Sequence, residues 1–236
     1  MGAIINTAAV AAGSLVGLLF KKRMRESLSE AITSVMGFCV VVVGLLGLIT
    51  NMVSVKDGAL SSEGTLLLIV SMALGLLAGE LMGIEDRLNA GAKKLEEKCR
   101  LNNFAQGFLS ASLLFCIGAM TIVGCLRDGL SHDPSVLILK SALDGIMAIF
   151  LTAAMGVGVM FSAVAVLVLE GGLTIAASFV AVYISGEMIA NVCMVGYGIV
   201  FLIGTNLMGL TKIKTANLLP ALLISIVWTL AGLGRI

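Results

Sequence analysis

The chain has 236 residues, 59% hydrophobic and 12% charged, with a formal net charge of +1. Its mean hydropathy is +1.11, whereas soluble domains carry about 25% charged residues, so this composition fits lipid rather than water as its solvent. No basic patch is present to draw nucleic acid, and neither the five dispersed cysteines nor the lone His132 forms a disulfide framework or a metal-ligand spacing.

The first apolar segment is Ala3 to Phe20. Lys21, Lys22, Arg23 and Arg25 follow it and none precedes it. A signal peptide has its charges first, so the segment reads as a helix inserted with its N-terminus outside. Gly13 and Gly17 form a G-x-x-x-G that lets another helix approach closely. The second segment, Ser27 to Thr50, contains the run Val40 to Val43. In water that run would suit a strand, but a lone strand in lipid leaves its backbone unsatisfied, so a helix is expected. Asn51 to Gly64 reads as a loop. The third span, Thr65 to Met82, carries Gly75, Gly79 and then Gly83 on one helical face, which predicts helix packing along that strip. Glu80 near its inner end can reach water. Ile84 to Asn103 is polar and basic, and Leu88, Ala92, Leu95 and Cys99 recur at helical steps. That pattern predicts an amphipathic helix at the membrane surface.

Phe104 to Leu126 is the fourth span, and Arg127 to Pro134 has turn composition. Val136 to Met155 is the fifth. Two 13-residue apolar runs follow, Val157 to Leu169 and Leu173 to Ser185, separated by Glu170, Gly171 and Gly172. At ~1.5 Å per residue neither run crosses a ~30 Å core alone. A broken or re-entrant helix pair near residues 157–185 is therefore expected, with one broken crossing preferred over a hairpin. Met188 to Leu210 and Asn217 to Leu233 complete the series, with Pro220 in the last helix's first turn. Basic residues concentrate in the turns at Lys21–Arg25 and Arg87–Arg100. The positive-inside rule puts those turns in the cytoplasm. The expected fold is all-α: a polytopic membrane helix bundle of about eight crossings, one transmembrane domain over residues 1–236, both termini outside. The glycine motifs at Gly13 and Gly75 each precede a charged turn and a glycine-bearing helix, the pattern of a weak internal repeat.

Several strings resemble a known family: "FCIGAMTIVG" from Phe115, "LKSALDGIMA" from Leu139, "MGVGVMFSA" from Met155 and "TKIKTANLLPALL" from Thr211. They are similar to the YdfK/YqgA-like family of bacterial inner-membrane proteins, and the resemblance runs through essentially the whole chain. It implies a multi-pass protein of the bacterial cytoplasmic membrane. It implies no substrate and no site residues, because the family is defined by sequence rather than by activity.

The candidate chemistry lies in charges within apolar segments, which are expensive in a bilayer and need a partner, a cavity or a function. Lys140 and Asp144 are four apart and share a helical face. They form an ion or proton site, or a structural pair, or Lys140 snorkels to the outer surface one turn in from the helix start. Glu170 sits between two apolar runs beside Gly171 and Gly172. It is either a mid-membrane carboxylate at helix ends, as in transporters with discontinuous helices, or a cap on a loop at a membrane face. Glu187 and Asn191 are also four apart, and interhelical hydrogen bonding is the usual role of such an amide. No phosphate loop, nucleophile elbow or zinc-protease motif is present, so no enzyme activity, cofactor or metal is expected. The reading that follows is a secondary transporter or ion-conducting protein for a small solute or ion, with coupling to a cation or proton as one form of it. The alternative is a membrane scaffold or regulator whose charges only fix helix register. Lipid is the implied partner, and the glycine strips also allow a homo-oligomer.

Overall fold

The computed structural model describes residues 1–21, 26–56, 59–99, 104–180 and 184–233. Ten α-helices account for most of these residues: α1 (Gly2–Lys21), α2 (Glu26–Met52), α3 (Thr65–Met82), α4 (Ile84–Cys99), α5 (Phe104–Cys116), α6 (Ala119–Ser131), α7 (Ser135–Met155), α8 (Gly158–Val180), α9 (Gly186–Leu207) and α10 (Leu219–Leu230). A 3-10 turn at Thr215–Leu218 leads into α10. The basic residues Lys22, Arg23, Arg25 and Arg100, on which the sidedness reading leans, lie outside the described residues.

Six of the described helices are long and apolar enough to cross a membrane: α1, α2, α3, α7, α8 and α9. The α5–α6 pair, bent by 61°, adds a seventh if it forms one span, and Thr215–Leu230 is a shorter apolar helix. The outward face of α8 is apolar, and its buried face holds polar residues. On α8, Val164, Val168, Ile175 and Phe179 are exposed, while Ser162 and Glu170 are fully buried. Water would select the opposite arrangement, and lipid selects this one.

Two expectations about local structure change. Asn51–Gly64 is not a plain loop, because α2 runs on to Met52 and a hairpin follows, β1 (Val53–Lys56) paired antiparallel with β2 (Ala59–Ser62). Alternating Val53, Ser54 and Val55 suits a strand, and pairing satisfies the backbone where the chain leaves the helix. The second change is the position of the break. The expected break between 157 and 185 is not at the glycine pair, since α8 runs as one helix from Gly158 to Val180 through Glu170, Gly171 and Gly172. A helix satisfies its backbone internally, and lipid offers the backbone no alternative partner, so a glycine pair does not have to interrupt it. A Cβ on Gly171 or Gly172 would meet nothing within 4 Å. The break falls instead in the segment read as a continuous fourth span. There Gly118 takes φ 155° and ψ 158°, a region open essentially to glycine alone.

The chain forms two compact units, with boundaries inside α2, inside α4 and between α8 and α9. The first comprises Met1–Met36 and Leu88–Tyr183, the second Gly37–Arg87 and Ile184–Ile236. In the first unit α1 packs along α7 and α8, and α8 also packs on α5 and α6. Gly2 lies against Leu137, Gly13 against the Gly145 carbonyl and Gly17 against the Ile149 carbonyl. The paired positions advance together, so α1 and α7 are parallel. Any side chain on Gly13 would collide with backbone, which is the close approach that small residues permit. The Gly2 N–H also donates to Asp128 Oδ2 on α6 at 2.7 Å.

The second unit has its own apolar core, built from Leu67, Met194, Val195 and Ala221. Here Gly75 lies against Ala221 and Gly79 against the Asn217 carbonyl. The order is reversed, so α3 and α10 are antiparallel. Gly44 of α2 lies against the Phe201 backbone of α9. The start of α4 is clasped to the turn before α10: Glu85 N–H donates to Asn217 Oδ1 at 2.7 Å, and Ala216 N–H donates to Glu85 Oε2 at 3.0 Å. Burial raises the Glu85 carboxyl above its ordinary range, although the Ala216 hydrogen bond and nearby Lys214 pull it back. Lys214 in turn bonds Asp86 at 3.0 Å to both carboxylate oxygens, which holds its ammonium above the usual value.

Candidate functional site: a buried ionic cluster

Lys140 and Asp144 occupy one face of α7, one turn apart. The Lys140 ammonium donates to Asp144 Oδ2, and it lies 3.3 Å from Glu170 Oε1 on α8. Its remaining contact is the carbonyl of Phe115, at 2.7 Å. That carbonyl belongs to the last turn of α5, where carbonyls have no partner four residues on. The broken helix therefore does contribute freed backbone to the site, but the helix is α5 rather than α8.

Asn6 of α1 closes the cluster. Its amide nitrogen donates to Glu170 Oε1 at 2.8 Å and to Asp144 Oδ2 at 2.9 Å. Asn6 and Glu170 are fully buried, and Lys140 is 6% exposed. Glu170 lies about 18 Å along the α8 axis from Gly158, close to the middle of a helix about 35 Å long, so it is far from either end.

One ammonium faces two carboxylates, so the fully ionised cluster carries one net negative charge. The α5 C-terminus adds further partial negative charge beside it. Two buried acceptors, Asn6 Oδ1 and Glu170 Oε2, have no hydrogen-bond donor. Charge and hydrogen bonding thus ask for the same thing, one more positive charge or donor. On the side of the unit where α7 begins, a cavity of about 630 Å³ is lined by Ile5, Asp128, His132, Ile138, Thr174 and Ile175, among others. Ile5 adjoins Asn6, and Thr174 is one turn along α8 from Glu170.

The five sequence candidates do not all converge. Lys140, Asp144 and Glu170 meet within the first unit. Glu187 and Asn191 belong to the second, where Glu187 is exposed in the first turn of α9. Asn191 is fully buried and donates to Thr229 Oγ1 of α10 at 2.9 Å, an interhelical bond. Asn6 was not among the candidates. The signal for it was present, because Asn6, Gly13 and Gly17 are spaced seven and four apart and so lie on one face. An amide on the strip where another helix approaches is well placed to reach that helix. Among the described residues, no group of three or more His, Cys, Asp or Glu side chains is arranged to hold a metal ion.

Apolar spans enclosing a charged, hydrogen-bonded cluster define a polytopic integral membrane protein. The family model described as "Protein of unknown function (DUF554)" matches residues 1–230, and the chain belongs to that family. It is 33% identical over 223 residues to "Uncharacterized membrane protein YdfK" of Bacillus subtilis (strain 168), covering 94% of this chain and 93% of the relative. It is 28% identical over 240 residues to "Uncharacterized protein YqgA" of Escherichia coli (strain K12), covering 97% of each. No solved structure matches the chain.

Proposed function

We propose that the protein is a secondary transporter or ion-conducting protein of the bacterial cytoplasmic membrane, and that Asn6, Lys140, Asp144 and Glu170 form its ion site. The observation that carries this reading is a single ammonium set against two carboxylates in a cluster midway along a spanning helix. Burying unbalanced charge in lipid is costly, and a purely structural ion pair would not need the second carboxylate. A mobile cation or proton balances it. The parallel packing of α1 and α7 supports counting α5–α6 as one crossing, because α7 is then the fifth and runs in the same direction as α1. With α10 counted, the chain crosses eight times, and the basic turns face the cytoplasm.

The test is flux in proteoliposomes under imposed proton or cation gradients. Wild-type protein should dissipate the gradient, and Glu170→Gln should fold to normal yield while losing flux. A wild-type protein that moves neither protons nor cations, yet retains a partner through purification, would favour the scaffold reading instead.

A further inference from the structure

We propose that the ion exchanged at this cluster is a single proton held by Glu170, not a metal cation. The proposal builds on the ion-site reading above and specifies what occupies the site. The position between the two carboxylates, where a metal cation would bridge them, is already taken by the Lys140 ammonium. A metal entering beside it would face a like charge at close range in a medium of low dielectric. It would also have to exchange part of its hydration shell for protein oxygens, and calcium takes six to eight oxygen ligands. Here Oδ2 of Asp144 and Oε1 of Glu170 are already committed to Lys140 and Asn6. The Phe115 carbonyl is committed to Lys140 as well. The cluster oxygens left without a donor are the buried Asn6 Oδ1 and Glu170 Oε2 and Oδ1 of the partly exposed Asp144. Three oxygens cannot replace a hydration shell, but the fully buried carboxylate oxygen, Glu170 Oε2, can take a proton.

A proton on Glu170 Oε2 turns that unpartnered acceptor into a donor and brings the cluster to neutrality. The step is balanced. A hydronium ion that reaches the cluster gives up one O–H bond to become water, and the new O–H bond forms at Glu170 Oε2. Release reverses it. The groups facing Glu170 are Lys140 and Asp144 from α7, Cys116 from α5 and Cys125 from α6, while α1 presents the uncharged Asn6. Asp128 and His132 stand in the cavity beyond Thr174.

The experiment uses the wild-type protein in lipid vesicles and does not depend on flux. Dicyclohexylcarbodiimide adds to protonated carboxylic acids in apolar surroundings, and mass spectrometry maps the adduct. We expect labelling at Glu170 that falls as pH rises and is unchanged by 100-fold variation in sodium, potassium, lithium or magnesium. Infrared difference spectra of the same vesicles should show a carboxylic C=O band that shifts in D2O, disappears at high pH and is absent in Glu170→Gln. Protection of Glu170 by any of the metal cations at constant pH would overturn the proposal, even if transport itself were demonstrated. Labelling confined to other carboxyls, with no exchangeable C=O band in the wild type, would also overturn it. Proton binding without flux would leave this inference standing and count against the transport reading alone.

Discussion

Replacing Lys140 with methionine tests whether this side chain compensates the two carboxylates. Methionine keeps the unbranched stem and removes the charge. The substitution eliminates the bonds to the Phe115 carbonyl, Asp144 Oδ2 and Glu170 Oε1, and it leaves the buried Glu170 and the partly buried Asp144 carboxylates with Asn6 as their shared donor. Removing one partner of a buried ion pair costs about 3–5 kcal/mol. For a chain of this size each kcal/mol shifts Tm by about 2–4 °C, so the expected fall is about 6–20 °C. The assay is thermal unfolding in detergent, followed by circular dichroism and by loss of monodisperse protein. The variant Lys140→Met/Asp144→Asn/Glu170→Gln carries no ionised group in the cluster. It should recover most of the loss, because replacing a whole buried ionic group costs far less than orphaning one partner. A Lys140→Met protein melting within about 2 °C of wild type, under about 1 kcal/mol by the same conversion, would refute the compensation. So would a triple variant no more stable than the single one.

Three further outcomes follow from the packing and the charges. Gly13→Leu and Gly79→Leu should sharply lower folded yield, because each added side chain meets backbone carbonyl, whereas Gly171→Ala should be neutral or stabilising by about 0.5–1 kcal/mol, since its Cβ meets nothing. Melting of the three variants side by side distinguishes helix contact from lipid exposure. Asn191→Leu removes one interhelical hydrogen bond to Thr229 and should cost about 0.6–2 kcal/mol while leaving flux intact; a flux defect at normal stability would place Asn191 in the ion path. Glu85 has a raised folded-state pKa from burial, so the folded protein binds its proton more tightly than the unfolded chain does. Its contribution therefore falls as pH rises from the ordinary value of 4.5 toward the raised one, and Glu85→Gln should flatten that part of the stability–pH curve measured by urea unfolding.

Much of the architecture follows from residue order alone, because lipid imposes one strong rule on the backbone. Composition determined the solvent, apolar stretches marked the spans, and the four-residue step from Lys140 to Asp144 placed both on one face of α7. Gly13, Gly17, Gly75 and Gly79 marked strips without side chains, and these are where α1 meets α7 and α3 meets α10. The tertiary structure decided what those rules leave open. Gly171–Gly172 and Gly118 look alike as helix interruptions, yet only the second interrupts a helix. A glycine permits a break without requiring one, and a bilayer favours continuity unless the freed carbonyl finds a donor, as Phe115 finds Lys140. Glu170, Glu187 and Asn191 are equally polar in sequence, but the packing of α8 on α1 and α7 takes Glu170 into the cluster and leaves the other two in the second unit. Asn6 lies 134 residues before Lys140, and only the parallel contact of α1 with α7 carries its amide to the two carboxylates. Local periodicity fixes which face a side chain occupies, and long-range packing decides what that face meets.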